Sequence, residues 1–255
     1  MNQSLWIKHL GLTIPREGSL SDPSLYTLSA PVRGKMVNDA MNYYDVPGRY
    51  YHAMPHPIRM MNGHFDYWNT DATDALFLAI LMHDAIYVPG MSPESEEMSM
   101  RLLPSLYYRI TGERIPLKLC DDVYQLIYWT LPRVHVRDQR KATVFDNEGQ
   151  AARLLDLDLT SMSDEWDTFV QTQDRIEREF AHTGSHVELV IASAGFLEQF
   201  IQKGFVYYTQ SFAENNARAM RNLKALVQAI RVHKEYSWAN MARRDPNALA
   251  AEYDQ

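Results

Sequence analysis

Apolar residues recur every three to four positions along almost the whole chain, and no segment alternates with a period of two over the length of a strand. In residues 31–44, for example, four apolar side chains fall on one face of a helix: Val32, Met36, Ala40 and Tyr43. The same period predicts further helices over residues 121–131, 147–159, 164–181, 186–203 and 214–236. Because an amphipathic helix has to bury its apolar face against another element, this pattern predicts an all-α helical bundle.

The segment 75–82 is apolar at every position, which is typical of a helix in the centre of a bundle. Thr70 or Asp71 is suited to cap its N-terminus. No apolar run is longer, and this one is far shorter than the roughly 20 residues of a membrane-spanning helix. Residues 1–18 lack the basic start and apolar middle of a signal peptide. We therefore expect a cytoplasmic protein with no membrane partner.

The organisation of the chain indicates a single domain, since its 255 residues contain no internal repeat, no low-complexity segment and no linker rich in glycine and serine. A chain of this length buries a sizeable core without disulfides, and the single cysteine, Cys120, cannot form an internal one. We expect a lead-in over residues 1–30, one helical domain over 31–240 and a frayed tail over 241–255.

The charge of the chain limits its ligands. A formal net charge of −7 gives no electrostatic footprint for non-specific binding to nucleic acid, which we exclude as a partner. The same charge disfavours an anionic ligand unless a local cation, such as a metal ion, reverses the field.

Four of the nine histidines fall within residues 52–83, at His52, His56, His64 and His83. Asp84 follows the last of them directly, at the end of the predicted central helix. Burying a carboxylate there costs several kcal/mol, of the order of 3 to 5, unless it is paired or bound to a cation. Imidazole and carboxylate are ligands that suit a divalent metal ion, so this doublet predicts part of a metal site.

Two choices of ligand stay open from the residues alone. Either His52 or His56 can join the doublet, and both can share one helix face only if the helix is unbroken between them, against which Pro55 and Pro57 argue. Downstream, Asp156 and Asp158 cannot both face the same way on a regular helix, so at most one of them is a ligand. His64, between a glycine and a phenylalanine, is interpreted as structural.

Four segments, in order, resemble the motifs of the HD superfamily of metal-dependent phosphohydrolases, and of one subgroup of predicted HD phosphohydrolases in particular. The first is GRYYH at 48–52 followed by His56, and the second is AILMHDAIY at 79–87. The third is SEEMSM at 95–100, where the subgroup has NExxSA, and the fourth is DLDL at 156–159, where it has DxDLxxLG. The resemblance covers roughly residues 48–180.

The chain departs from the subgroup pattern at positions other than the histidines and aspartates of these segments. Ser95 stands in place of an asparagine, Met100 in place of a small residue and Ser163 in place of a glycine. A later RxEY element is represented only by residues 178–180, with Glu177 at its arginine position. The departure puts an anion contact from that arginine in doubt.

The resemblance implies an HD-domain helical bundle that hydrolyses a phosphate ester or anhydride with a metal-activated water. It implies His56, His83, Asp84 and Asp158 as ligands of one divalent ion, with Mn, Co, Mg, Fe and Zn all open and a second ion not excluded. The implied substrate is a small-molecule phosphate, and we favour a nucleoside mono- or triphosphate.

Further roles follow from this hypothesis. Glu96 is the candidate for proton transfer, because the short loop 88–93 can fold it back over the metal, and Asp84 belongs with the catalytic residues as a ligand. Arg49 and His52 are candidates for phosphate contacts, while two aromatic side chains are candidates for stacking on a base: Tyr51 and Tyr87.

Two other functions and one question of assembly stay open. A di-iron HD-type oxygenase needs extra histidines between the doublet and the last aspartate, where the sequence offers His135. The second alternative is a non-catalytic regulatory module that binds a nucleotide. The aromatic side chains near residues 200–208 either pack inward, as we expect, or form the face of a homo-oligomer.

Overall fold

The computed structural model describes residues 27–131 and 149–255, and these residues form eleven α-helices, two short 3-10 helices and no strand. The α-helices are α1 Ala30–Tyr44, α2 Pro55–Trp68, α3 Asp74–Met82, α4 Glu94–Thr111, α5 Leu117–Thr130, α6 Gln150–Asp158, α7 Trp166–Phe180, α8 His186–Lys203, α9 Ala213–Arg231, α10 Trp238–Met241 and α11 Pro246–Tyr253. The 3-10 helices are Thr160–Ser163 and Gln210–Phe212. The structure confirms an all-α, single-domain bundle.

Helix α3 lies at the centre of the bundle, as its sequence predicts. Every residue from Asp74 to Met82 is buried, and the helix packs against α1, α2, α4, α5 and α6. Its N-terminal cap is Thr73, whose Oγ1 accepts the Leu76 N–H at 3.2 Å, so the expected caps, Thr70 and Asp71, lie too early. The central position of α3 fixes its C-terminal end, where the His-Asp doublet stands, inside the molecule.

Two of the longer helices, α2 and α4, were not predicted from the periodicity, and both contain prolines. Pro55 and Pro57 lie in the first turn of α2, where a missing N–H costs nothing because that group has no partner in the helix. Pro104 lies inside α4, whose neighbouring Leu103 and Leu106 are fully buried. Burial of the apolar face of α4 against α1 and α5 therefore outweighs the lost backbone hydrogen bond.

The chain end is more ordered than we expected, and the frayed tail over 241–255 is corrected. Met241 is fully buried, and its carbonyl accepts the Trp166 indole N–H at 2.9 Å. Asp245 caps α11, which packs on α9 through Leu249 and Ala250. The cap and the buried apolar contacts supply what a fraying end lacks.

Two further expectations bear on the surface. Phe200 and Tyr207 are buried, so these two side chains pack inward as expected, whereas Phe205 and Tyr208 are half-buried. Within residues 27–131 and 149–255, no helix is both long enough and apolar enough to cross a bilayer. Residues 1–26 of the expected lead-in lie outside the described part of the chain.

A histidine at the start of α8 ties together α7 and the segment before α10. His186 Nδ1 lies 2.8 and 2.9 Å from the two carboxylate oxygens of Glu177, and its Nε2 lies 2.7 Å from the Tyr236 carbonyl. Both partners can only accept, so both ring nitrogens donate and the ring is an imidazolium. The hydrogen bond to Glu177 raises the pKa of His186.

We expect the stability that this contact contributes to fall as pH rises. The folded-state pKa lies above the unfolded value of about 6.5, so the contribution is complete below that value and is lost as pH rises through the folded pKa. The side chain is half exposed, so the effect is below about 1 kcal/mol. The measurement is urea unfolding between about pH 5.5 and 8.5. The difference in free energy of unfolding between the unsubstituted protein and H186Q gives the contribution of the contact at each pH.

His182→Gln is the control for this experiment, because His182 is exposed and makes no hydrogen bond within the described residues. Its gap from the unsubstituted protein should stay constant with pH. A constant gap for H186Q as well would contradict the assignment of an imidazolium.

Candidate metal centre

Three helices bring their ends to one point inside the bundle. His56 lies in the first turn of α2, His83 and Asp84 follow the last residue of α3, and Asp158 is the last residue of α6. His56 and His83 are 5% and 2% exposed, while the side chains of Asp84 and Asp158 are 13% and 19% exposed. The cluster is therefore buried on its histidine side and reached by solvent on its carboxylate side.

The distances within the cluster suit one bound ion. His56 Nε2 lies 3.2 Å from both His83 Nε2 and Asp158 Oδ1, and His83 Nε2 lies 3.1 Å from Asp84 Oδ2. Two further distances are 3.6 Å from His83 Nε2 to Asp158 Oδ1 and 3.9 Å from His56 Nε2 to Asp84 Oδ2. Ligands that each bind an ion at about 2.1 Å lie about 3.0 to 3.4 Å from their neighbours, so these atoms fit with small adjustments.

The orientation of His83 is fixed by the helix that carries it. Its Nδ1 lies 2.9 Å from the Ile80 carbonyl, which can only accept, so Nδ1 carries a proton and donates. Nε2 is then the nitrogen left to face the cluster. A ring held by its second nitrogen in this way is the usual arrangement of a metal-binding histidine.

The electrostatics of the cluster also favour a cation. Burial opposes a charge on His83, but Asp84 and Asp158 outweigh it and raise its pKa well above the usual value. Burial likewise opposes ionisation of the two carboxylates, but His83 lowers the pKa of Asp84 to about 2, and hydrogen bonds from both histidines hold the pKa of Asp158 well below its usual range. Two ionised carboxylates thus face the histidine nitrogens, where a divalent ion would be stabilised.

Asp156, the alternative to Asp158, faces the other side of α6. It is fully buried and accepts the backbone N–H groups of Tyr208 and Thr209 at 2.7 and 2.8 Å and the Thr209 hydroxyl at 2.6 Å. Burial raises its pKa to about 7. The two aspartates therefore have separate tasks: Asp158 lies in the cluster, and Asp156 anchors the loop before α9.

Two serines of the third motif fold the segment after the doublet against α4. Ser99 Oγ accepts the Ile86 N–H at 2.8 Å and donates to the Ile86 carbonyl at 3.1 Å. Ser95 Oγ accepts the Val88 N–H at 3.0 Å. Sequence reasoning named these serines as part of a motif without a task, and the structure shows that they fix the path of residues 86–88 beside the cluster.

Glu96 lies between these serines on α4, and its environment differs from that of an ordinary helix-start carboxylate. Its Oε1 accepts the Ser92 hydroxyl at 2.9 Å, while its Oε2 is buried and has no hydrogen-bond partner among residues 27–131 and 149–255. Burial raises its pKa to about 7, and the negative charge of Asp84 acts in the same direction. A carboxyl that is half protonated near neutral pH, within range of the charge of Asp84, is suited to proton transfer.

His52, the alternative to His56, lies beside the cluster instead of in it. Its ring stacks on Tyr87 at 4.1 Å and meets Tyr51 edge-on at 4.8 Å. Its Nδ1 lies 2.5 Å from Glu179 Oε2. Glu179 was not among the predicted site residues, and the only signal for it was its place in the imperfect RxEY element.

The remaining predicted substrate residues line the same region. Arg49 donates to the backbone carbonyls of His52, Asp84 and Ala85 at 2.8 to 3.1 Å, so three of its N–H groups hold the doublet to the first motif. The Tyr51 hydroxyl is hydrogen-bonded to the Ser161 hydroxyl at 3.0 Å. A phosphate contact from Arg49 and base stacking by the tyrosines stay predictions, since these groups already have protein partners.

The two other histidines under discussion stand apart. His64 is 2% exposed and lies 3.0 Å from the Thr70 carbonyl through Nδ1, with its ring beside Trp68, which agrees with a structural role. His135, which a di-iron site would need, lies outside the described residues.

Comparisons with protein-family models, with curated proteins and with solved structures each gave no match. The interpretation of the cluster therefore rests on its own geometry and on the ordered motifs of the sequence.

Proposed function

We propose that the protein is a metal-dependent phosphohydrolase that cleaves a phosphate ester or anhydride of a nucleotide. The observation that carries this proposal is that the Nε2 atoms of two histidines lie 3.2 Å apart and each lies within 3.9 Å of an oxygen of two carboxylates. A further carboxyl group, Glu96, has a pKa that burial raises to about 7. Hydrolysis at phosphorus needs a positive centre and a proton-transfer group. The cluster would hold the first as a metal ion, and Glu96 would be the second.

His56, His83, Asp84 and Asp158 would hold the ion, which on binding supplies Lewis acidity and lowers the pKa of a bound water. Glu96 moves a proton through Oε2, its unpaired oxygen. The carboxylate side of the cluster is partly exposed, so a phosphoryl group would approach the ion from there, whereas the histidine side is buried. The nucleotide class rests on the resemblance to HD phosphohydrolases.

The test is phosphate release by protein that has been stripped of metal and reloaded with Mn²⁺, Co²⁺, Fe²⁺, Mg²⁺ or Zn²⁺ in turn. The substrates are the common nucleoside 5′-mono-, di- and triphosphates. We expect turnover that needs a metal and that is lost in His83→Ala. His64→Asn, which keeps a donor for the Thr70 carbonyl, is the matched control and should stay active.

Protein that binds about one ion per chain but releases no phosphate from any of these nucleotides would overturn the proposal. A variant H83A with full activity would overturn it as well.

A further inference from the structure

Glu179, near the end of α7, is a buried carboxylate to which the proposed mechanism gives no task. Its side chain is fully buried. Its Oε1 accepts three consecutive backbone N–H groups, those of Tyr50, Tyr51 and His52, at 2.7, 2.7 and 2.9 Å. Holding the loop needs only this oxygen, and the second oxygen, Oε2, is used on the imidazole of His52 at 2.5 Å.

The contact with Oε2 determines what the rest of the His52 ring can do. A carboxylate only accepts, so Nδ1 of His52 carries a proton and donates to Glu179. Nε2 is left without a hydrogen-bond partner among the described residues, and the side chain is 17% exposed. Tyr87 and Tyr51 hold the ring between them, and its centre lies 5.9 Å from the ring of His56. Nε2 is thus a fixed, reachable polar atom at the edge of the metal cluster.

We propose that Glu179 is a positioning residue that holds His52 so that Nε2–H donates a hydrogen bond to a phosphoryl oxygen of the substrate. The inference rests on the proposed function, and it adds a buried carboxylate and an imidazole to the groups that bind the phosphate. The ligand chemistry follows from the site. An imidazole whose Nδ1 proton is bound by a carboxylate has a more basic Nε2, and a charge-assisted bond to an anionic oxygen is among the strongest it makes.

A merely structural Glu179 would act only on the loop, and that role is separable from the one proposed. Glu179→Gln keeps an oxygen for the three backbone N–H groups but removes the charge that holds Nδ1–H. Glu177→Gln is the matched control, because Glu177 lies two residues earlier on α7 and holds the imidazole of His186, an exposed histidine on another helix. Both variants remove one helical carboxylate that is bonded to a histidine.

The first experiment is NMR of the Zn²⁺-loaded, diamagnetic protein, with the His52 ring assigned by comparison with His52→Gln. We expect a downfield, exchange-protected Nδ1 proton in the unsubstituted protein and in E177Q, and its loss in E179Q. Titration with inorganic phosphate should shift Nε2 of His52, and the apparent affinity should fall roughly ten- to a hundredfold in E179Q. The apparent affinity for phosphate should fall as much in H52Q. It should fall no further in the double variant, which carries both H52Q and E179Q, than in either single variant.

An Nδ1 proton and a phosphate affinity that are unchanged in E179Q, or that change equally in E177Q, would overturn the inference. Phosphate binding that depends on Glu179 in a protein without turnover would sustain it while the proposed function fails. Nucleotide turnover whose kcat and KM are the same in E179Q would overturn it while the proposed function stands.

Discussion

Replacing Glu96 by glutamine is expected to lower the rate of phosphate release by a factor of the order of 10² to 10⁴ and to leave metal binding intact. The reason is that Glu96 is not a ligand of the proposed ion, yet its Oε2 is buried without a partner in the described part of the chain. Burial and the charge of Asp84 raise its pKa to about 7. Glutamine has the same shape and cannot exchange a proton. The measurement is the steady-state rate of E96Q together with its metal content.

Glu97→Gln is the matched control, because Glu97 is the next residue of the same helical turn and pairs with Arg101 at the surface. The substitution E97Q should change the rate of phosphate release less than about threefold, since an exposed ion pair contributes under about 1 kcal/mol. Equal rates for E96Q and the unsubstituted protein would remove Glu96 from the mechanism.

Replacing Asp156 by alanine is expected to lower the free energy of unfolding by about 3 kcal/mol. The substitution leaves three buried donors without an acceptor: the N–H groups of Tyr208 and Thr209 and the Thr209 hydroxyl. Asp156→Asn keeps one acceptor oxygen and should lose less. The measurement is the midpoint of urea unfolding for each variant.

Asp167→Ala is the control for the effect on stability, because Asp167 is exposed and, among the described residues, accepts only from the next residue, Thr168. We expect it to cost less than about 1 kcal/mol. If D156A were as stable as D167A, the loop before α9 would not depend on the carboxylate as we infer.

The fold could be predicted where local pattern and burial agree. The period of apolar residues placed α1, α7 and α8 within a residue or two of their ends, because each has an apolar face to bury. It missed α2 and α4, because proline is read locally as a helix breaker. Tertiary packing decides whether a proline lies in the first turn of a helix, and whether buried neighbours offset the hydrogen bond that it removes. A rule based on local sequence does not include that packing.

The prediction of a frayed tail over residues 241–255 was wrong for a related reason. Nothing in the composition of residues 246–253 shows that α9 presents a face on which they pack. The contact is made through Leu249 and Ala250, which are buried, but a leucine beside an alanine does not by itself predict a buried helix face.

The candidate site also has parts that the sequence could predict and parts that it could not. The His83-Asp84 doublet could be recognised because an aspartate beside a predicted core helix needs a partner, and that need is visible locally. His56 and Asp158 lie in the cluster, whereas their alternatives, His52 and Asp156, lie beside it and behind it. The spacing of the aspartates on α6 required such a division, although it could not say which of them faces the histidines.

Glu179 illustrates what the sequence could not supply. It lies 127 residues from His52 along the chain, and no local pattern joins a glutamate at the end of one amphipathic helix to an imidazole so far away. The same holds for the hydroxyls of Ser95 and Ser99, whose task depends on the path of the segment that they bind.

The central claim is that the cluster of His56, His83, Asp84 and Asp158 holds a divalent ion, and elemental analysis of the purified protein tests it most directly. We expect about one ion per chain in the unsubstituted protein and in the control His64→Asn, and its loss in Asp84→Ala, because removing one of four ligands opens the site. An absence of bound metal in the unsubstituted protein, even after Mn²⁺, Co²⁺ or Fe²⁺ is supplied, would contradict the account.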